Sequence, residues 1–470
     1  MSWLIKRLPK KRWKRVCIYI LSGVVILVAA DMVLARYWRQ VTISYETTRI
    51  TSPLGADGLP DYAAARNAQF SQGVTAENNA APELLAISSD EHLDYWDWLK
   101  AHPPKDADLD QEWEEAIHKP WKSSEHPGRV AWRDSQRAAL TKLATAVRKE
   151  RFYVPWNSAN PGEITTVLVP WLGHGRACAN LLAADAMRAA GDGDAAAFQR
   201  DVLNIAKLAR LVGQGSTLIE YLVAVAIDSN ASVSLQAGAC SSFLSAGDAR
   251  ELLIAWKSLP PFPTEKMVLD KGERFFSLNA FCEGSQHRLR SGMSDVPPVP
   301  MGSLFFPIHY NGVLRTFNHY FDELVAAQEL PTYKQRAAAM KAVETEAASY
   351  QNFFDIGEDM VKILAPSMGK TEILQERDSI NHDLATVALA LRIYREEHGT
   401  FPESLGQLVP GVLDAMPTDG FAENASFHYR REGKGYVLYS VGDDGKDDGG
   451  RDRKSAGKGE GWDIVVRAAE

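Results

Sequence analysis

Apolar and polar positions change period several times along this chain. Val16 to Ala30 is one apolar run, and Met32, Val33, Leu34 and Ala35 extend it past Asp31 to about 20 residues. A helix of that length crosses a hydrocarbon core of about 30 Å. Further on the period is helical. A helix is predicted near Asp61, running through Tyr62 to Phe70. Ala177, Leu181, Ala184 and Met187 then share one face, and Phe198, Val202, Ile205, Leu208 and Leu211 share another. Gly191-Asp192-Gly193-Asp194 separates the two, which predicts an αα-hairpin with the two aspartates as turn formers. Leu218 to Leu235 makes a third helix. Its apolar run Leu222–Ile227 is bracketed by Glu220 and Asp228, the pattern of a buried core helix, and no second segment is expected to span a membrane. Prolines punctuate a looser stretch over 258–312, after which helices resume at Val313–Leu330, Thr332–Tyr350 and Gln375–His398. Past Phe427 the period drops to two: a hairpin turning at Glu432-Gly433-Lys434-Gly435, then a third strand at Asp463–Val466.

The pattern predicts a mainly α chain. A basic leader (1–15) precedes a membrane anchor (16–35), a linker (36–60), an exported helical domain (61–350) and a small α+β domain (360–470) with a three-stranded antiparallel sheet. The leader holds seven bases and no acid, Trp13 borders the apolar run inside, and Tyr37 and Trp38 border it outside. Basic residues stay on the cytoplasmic side, so the bulk of the chain belongs on the extracytoplasmic face of the membrane. Val28-Ala29-Ala30 would also serve as a signal-peptide cleavage site; either route exports the body.

Charge narrows the partners. The chain has 52 bases and 60 acids. Without the seven leader bases, 45 face 60, a balance that argues against nucleic acid as a partner and is compatible with cations. Cys17 lies in the anchor, and Cys178, Cys240 and Cys282 are scattered without metal-ligand spacing. A Cys178–Cys240 disulfide and three buried free thiols are both consistent with that spacing.

Three stretches invite a chemical reading. Residues 90–171 carry Trp96, Trp98, Trp113, Trp121, Trp132, Trp156 and Trp171 together with His92, His102, His118 and His126. That composition suits an aromatic cleft for glycan or simple helix packing; no His-Glu-x-x-His pattern marks a metal site. Met368-Gly369-Lys370-Thr371 imitates a phosphate loop, but Leu364 stands where the first glycine is required. Ser440 to Gly450 crowds Asp443, Asp444, Asp447 and Asp448 among glycines. Carboxylates so close repel unless a cation or water separates them, and Ca²⁺ takes six to eight oxygens from such a loop. A solvated acidic loop is the plain alternative. The spacing is not an EF-hand, since the twelfth residue from Asp444 is Ser455.

The order of motifs from Leu389 to Ile464 carries a resemblance. Tyr394…His398-Gly399-Thr400-Phe401-Pro402, Leu413…Pro417-Thr418-Asp419, Tyr439-Ser440-Val441-Gly442-x-Asp444-Gly445 and Trp462-Asp463-Ile464 resemble the globular end of type II secretion major pseudopilins. The resemblance implies a Ca²⁺ site with Asp444 and Asp463 as acidic ligands, Asp443, Asp447 and Asp448 as auxiliaries, and backbone carbonyls near Tyr439 and Val441. The N-terminal helix lacks the glutamate of a pseudopilin and lies more than 300 residues from the head. The pair around Gly191–Asp194 resembles a single tetratricopeptide hairpin, without a repeat period. The remainder is similar to uncharacterised bacterial envelope proteins. The expected function is therefore a non-catalytic, membrane-anchored envelope protein, with a partner-binding or scaffold body and a Ca²⁺-stabilised head. An envelope-polymer hydrolase using the Trp-rich region, with Glu112, Glu114 and Glu115 as candidate carboxylates, and a secretion-system accessory are the alternatives.

Overall fold

The computed structural model describes residues 40–87, 93, 95–104, 108–156, 170–285, 309–350, 356–423, 425–458 and 460–469. The predicted leader and membrane helix lie outside the described residues. In chain order the helices are α1 (Tyr62–Phe70), α2 (Ala81–Ile87), α3 (Tyr95–Ala101), α4 (Leu109–His118), α5 (Pro127–Ser135), α6 (Arg137–Ala146), α7 (Pro170–Asp192), α8 (Ala195–Val212), α9 (Leu218–Cys240), α10 (Ala246–Lys257), α11 (Glu265–Met267), α12 (Arg274–Ser285), α13 (Tyr310–Gln328), α14 (Tyr333–Ser349) and α15 (Ile356–His398). A π-helix, Val268–Glu273, joins α11 to α12.

Local chemistry sets the boundaries. Asp61 caps α1 by accepting from the Ala64 N–H, and Asp194 caps α8 by accepting from the Ala197 N–H. At α9 Thr217 and Glu220 form a reciprocal capping box, which satisfies donors that the first helical turn leaves free. The other turn-forming aspartate, Asp192, accepts from the Ser123 N–H at 2.8 Å and Oγ at 2.5 Å, tying the α7–α8 turn to the Trp-rich layer.

Two points differ from the sequence reading. Residues 265–285 are helical rather than loose: the prolines at 260–263 end α10, and Thr264 opens a new helical run. The C-terminal helix begins at Ile356 instead of Gln375, carrying Pro366 and Gly369 inside it. The neighbouring helices supply what local propensity lacks, since α9, α10, α13 and α14 all pack on α15.

Helices α7, α8 and α9 form the centre, with α15 laid across α9. Among the described residues α9 is the one helix long and apolar enough to cross a bilayer, although the sequence pattern assigns it to the core alone. In the fold it is a core helix, with Ala224, Ile227, Ala231 and Leu235 buried and with Glu220 and Asp228 buried beside them. Cys178, Cys240 and Cys282 are free thiols.

The small sheet follows α15. A two-stranded piece pairs β1 (Thr418–Asp419) with β2 (Ala425–Ser426). Strands β3 (His428–Glu432), β4 (Gly435–Ser440) and β5 (Ile464–Ala468) are antiparallel in the order β3-β4-β5, with Tyr439 opposite His428 and Val465. Every residue of β4 is buried. One apolar core runs without a break from Ala80 through α7–α10 and α15 to Leu438, Val466 and Ala468. A second core gathers α1, α12, α13 and α14, with Val361 of α15.

Candidate functional site

The acidic loop hangs between β4 and β5 and is pinned at both ends by buried aspartates. Asp419 accepts from Ser440 Oγ at 2.9 Å and from the Val441 N–H at 3.1 Å. Asp463, 1 % exposed, accepts from the Gly450 N–H at 2.7 Å and the Asp448 N–H at 3.3 Å. Burial raises the Asp463 carboxyl, and the two backbone donors oppose that rise. Both its oxygens are used in holding the loop closed.

The remaining candidates divide. Asp443 receives Arg377 of α15 at 2.7 Å. Asp447 accepts from Tyr439 Oη at 3.0 Å and the Gly449 N–H at 2.9 Å, and these bonds hold its carboxyl low. Asp444 and Asp448 converge instead. A Cβ placed on Gly461 would stand 2.4 Å from Asp448 Oδ2 and 2.6 Å from Asp444 Oδ2, so both oxygens border the space that this glycine leaves. Asp448 Oδ2 is buried and meets no hydrogen-bond donor among the described residues, while Asp448 Oδ1 takes Arg451 at 2.9 Å. An orphaned buried oxygen beside a second carboxylate, in a cradle that any side chain at 461 would fill, fits a hard cation bound by oxygen. No three carboxylates of the loop bring oxygens within 4.8 Å of one another among the described residues. A cation held there would need main-chain oxygens or solvent as further ligands. Asp463, an expected ligand, accepts one loop N–H on each oxygen, while Asp448 and Asp444 border the Gly461 space.

The chain matches no family model, no curated protein and no solved structure.

Three further clusters lie outside the loop. His319 and Glu323 on α13 approach Glu346 on α14, with His319 Nε2 3.5 Å from Glu346 and 3.9 Å from Glu323. His319 and Glu346 are exposed and Glu323 is half-buried, and Glu346 also accepts from Tyr350 Oη at 3.4 Å.

The second cluster is buried where α15 crosses the body. Glu265 of α11 accepts from Thr371 Oγ1 at 2.7 Å and from Gln328 Nε2 at 2.8 Å. Gln328 also reaches Glu372 at 3.1 Å, and Arg336 of α14 binds Glu372 at 2.7 Å and Glu376 at 3.0 Å. The Tyr221 hydroxyl and Asp378 Oδ1 are buried nearby without partners. Desolvation pushes Glu265 up to about 7 and raises Glu376 and Asp378. No motif announces this cluster, because its members come from five helices.

The third is a cleft of about 580 Å³ between α4, α7 and α9, lined by Trp113, Glu114, His118, Arg176, Asn180 and Asn230 among others. Part of the Trp-rich stretch thus faces an opening, whereas Trp121, Trp132 and Trp156 are core residues. Glu112 and Glu115 do not line it: Arg129, 2 % exposed, holds Glu112 at 2.6 Å and Glu115 at 3.6 Å. His92 lies outside the described residues.

Proposed function

We propose that this protein is a membrane-tethered envelope protein whose helical body is a scaffold for a protein partner and whose C-terminal head is ordered by Ca²⁺. The body is read as hairpin-built and tetratricopeptide-like, the head as pseudopilin-like. The observation that carries the calcium reading is Asp448 Oδ2, buried and unpartnered beside Asp444 at the Gly461 cradle. When bound, Ca²⁺ would supply the positive charge that two converging carboxylates lack. Arg451 neutralises one side of that pair, and Asp463 keeps the loop in position to receive the ion.

A ligand that binds only the folded state stabilises it by about 2.7 kcal/mol at a hundredfold excess over Kd. Full-length protein in detergent is therefore expected to melt several degrees higher with excess Ca²⁺ than with EGTA. The gap should close in Asp444→Asn/Asp448→Asn. It should also close in Gly461→Ala, whose added methyl group occupies the cradle and pushes the Asp444 and Asp448 oxygens aside without removing a carboxylate. Equal melting of the native chain with Ca²⁺ and with EGTA removes the calcium reading.

A further inference from the structure

The cleft between α4, α7 and α9 brings an aromatic side chain and several polar ones to one opening. Trp113 lies against Tyr95 with centroids 5.9 Å apart and planes 20° from parallel, and Tyr95 in turn packs on Trp132 at 4.7 Å. That aromatic stack fixes the indole before any ligand arrives, so little side-chain entropy is lost on binding. Opposite, Asn230 of α9 donates to Asn180 of α7 at 3.0 Å, and Asn230 Oδ1 is buried without a partner. Either orientation of the two amides leaves a donor and an acceptor unused at the cleft wall. Glu114 pairs with His118 at 3.2 Å. Arg176 is exposed and has neither an ion pair nor a hydrogen bond among the described residues.

These features specify a ligand with an apolar face, several hydroxyls and one negative charge. An aromatic plane covers the C–H face of a pyranose ring, and unpaired amides take its hydroxyls. One arginine answers one carboxylate. Glu114 repels a polyanion, which excludes a nucleotide triphosphate or polyphosphate. The volume falls in the range of about 300–1,000 Å³ typical of small-ligand sites. Cleavage of a glycoside by the usual route needs two carboxyl groups flanking the bond, and here Glu112 and Glu115 are turned to Arg129, leaving Glu114 as the one carboxylate of the lining among the described residues. We infer that this cleft binds, without cleaving, a saccharide segment that carries a carboxylate.

Isothermal titration of the full-length protein in detergent tests this with two probes: an N-acetylglucosamine tetrasaccharide in which one sugar is replaced by glucuronate, and neutral chitotetraose. The acidic tetrasaccharide should bind and be recovered intact, with chitotetraose about tenfold weaker or more. Arg176→Ala, a change at an exposed side chain, should bring the acidic probe down to the level of the neutral one. Trp113→Ala and Asn230→Ala should weaken both. Circular dichroism matching the native chain secures that the variants are folded. Absence of binding by either probe at millimolar concentration, equal affinity for the two, unchanged affinity in Arg176→Ala, or recovery of shortened products each overturns the inference.

Discussion

Arg336→Met is expected to cost about 3–5 kcal/mol of stability at pH 8, the usual loss when one partner of a buried ion pair is removed. Arg336 is the cation bonded to both Glu372 and Glu376, and Glu372 is 1 % exposed. Methionine keeps the apolar stem and removes the charge, leaving two buried carboxylates facing each other and Glu265. The loss should shrink at pH 5.5, because Glu265, pushed up to about 7 by desolvation, then takes up a proton, and desolvation raises Glu376 in the same direction. The native chain should show the same direction more weakly. Glu265 titrates near 7 in the fold and near 4.5 when unfolded, so the folded state holds more protons between those values. Stability therefore falls as pH rises from about 4.5 through 7. Asp228 and Asp378 are raised too, with Arg210 on Asp228 at 2.6 Å opposing that, and Asp383 is pushed up to about 7. Urea titrations at pH 5.5 and 8 measure both effects. An Arg336→Met loss equal at the two pH values would remove the carboxylate cluster as its cause.

Gly272→Ala should destabilise by about 3 kcal/mol or more, at the upper end of overpacking costs. A Cβ there would lie 1.5 Å from the Ser216 carbonyl oxygen, so main chain must move, not a side chain. The π-helix brings Gly272 against the turn before α9, and that turn is crowded with obligations. Ser216 Oγ accepts Arg66 Nε at 3.0 Å, and the Ser216 and Thr217 N–H groups each reach Glu220 at 2.9 Å. Arg66 itself, 3 % exposed, donates to the Val154 carbonyl at 2.7 Å and sits over Trp156. Displacing one turn therefore loosens α1, α9 and the 152–156 segment together. Gly128→Ala is the control. It lies within α5, nothing stands within 4 Å of its added methyl, and it should gain about 0.5–1 kcal/mol. Denaturant midpoints of the two variants, measured side by side, decide the matter.

Legibility in the sequence followed chemistry that is local. Asp61 and Asp194 stand at the helix starts their types favour, and the Leu218–Cys240 pattern with its bracketing acids reads as a core helix. The hairpin turning at Gly433 and the third strand also lay open in the period-two stretch. What stayed hidden depends on packing. Pro366 and Gly369 disguise the first two turns or more of α15, which stands because four helices hold it. The acidic loop announced its charge but not its division of labour. Which aspartate braces and which stays open is decided by Gly461, Arg377 and Arg451, none of them marked by charge alone. The cleft joins Trp113 to Asn180 and Asn230, residues with no shared motif.

The unbroken core from Ala80 to Ala468 has a consequence for how this protein can vary. Tyr436 of the sheet meets Cys240 of α9 at 3.6 Å, and Phe421 packs edge-on against Tyr333 of α14 with ring centroids 4.9 Å apart. A recombination event that cut the gene at Gly399 would not release a portable part. It would strip an apolar lid from α9 and α15 and leave two halves that each need the other. Inheritance of the head and body is thus bound to be joint, and substitutions on either side of that seam must suit both.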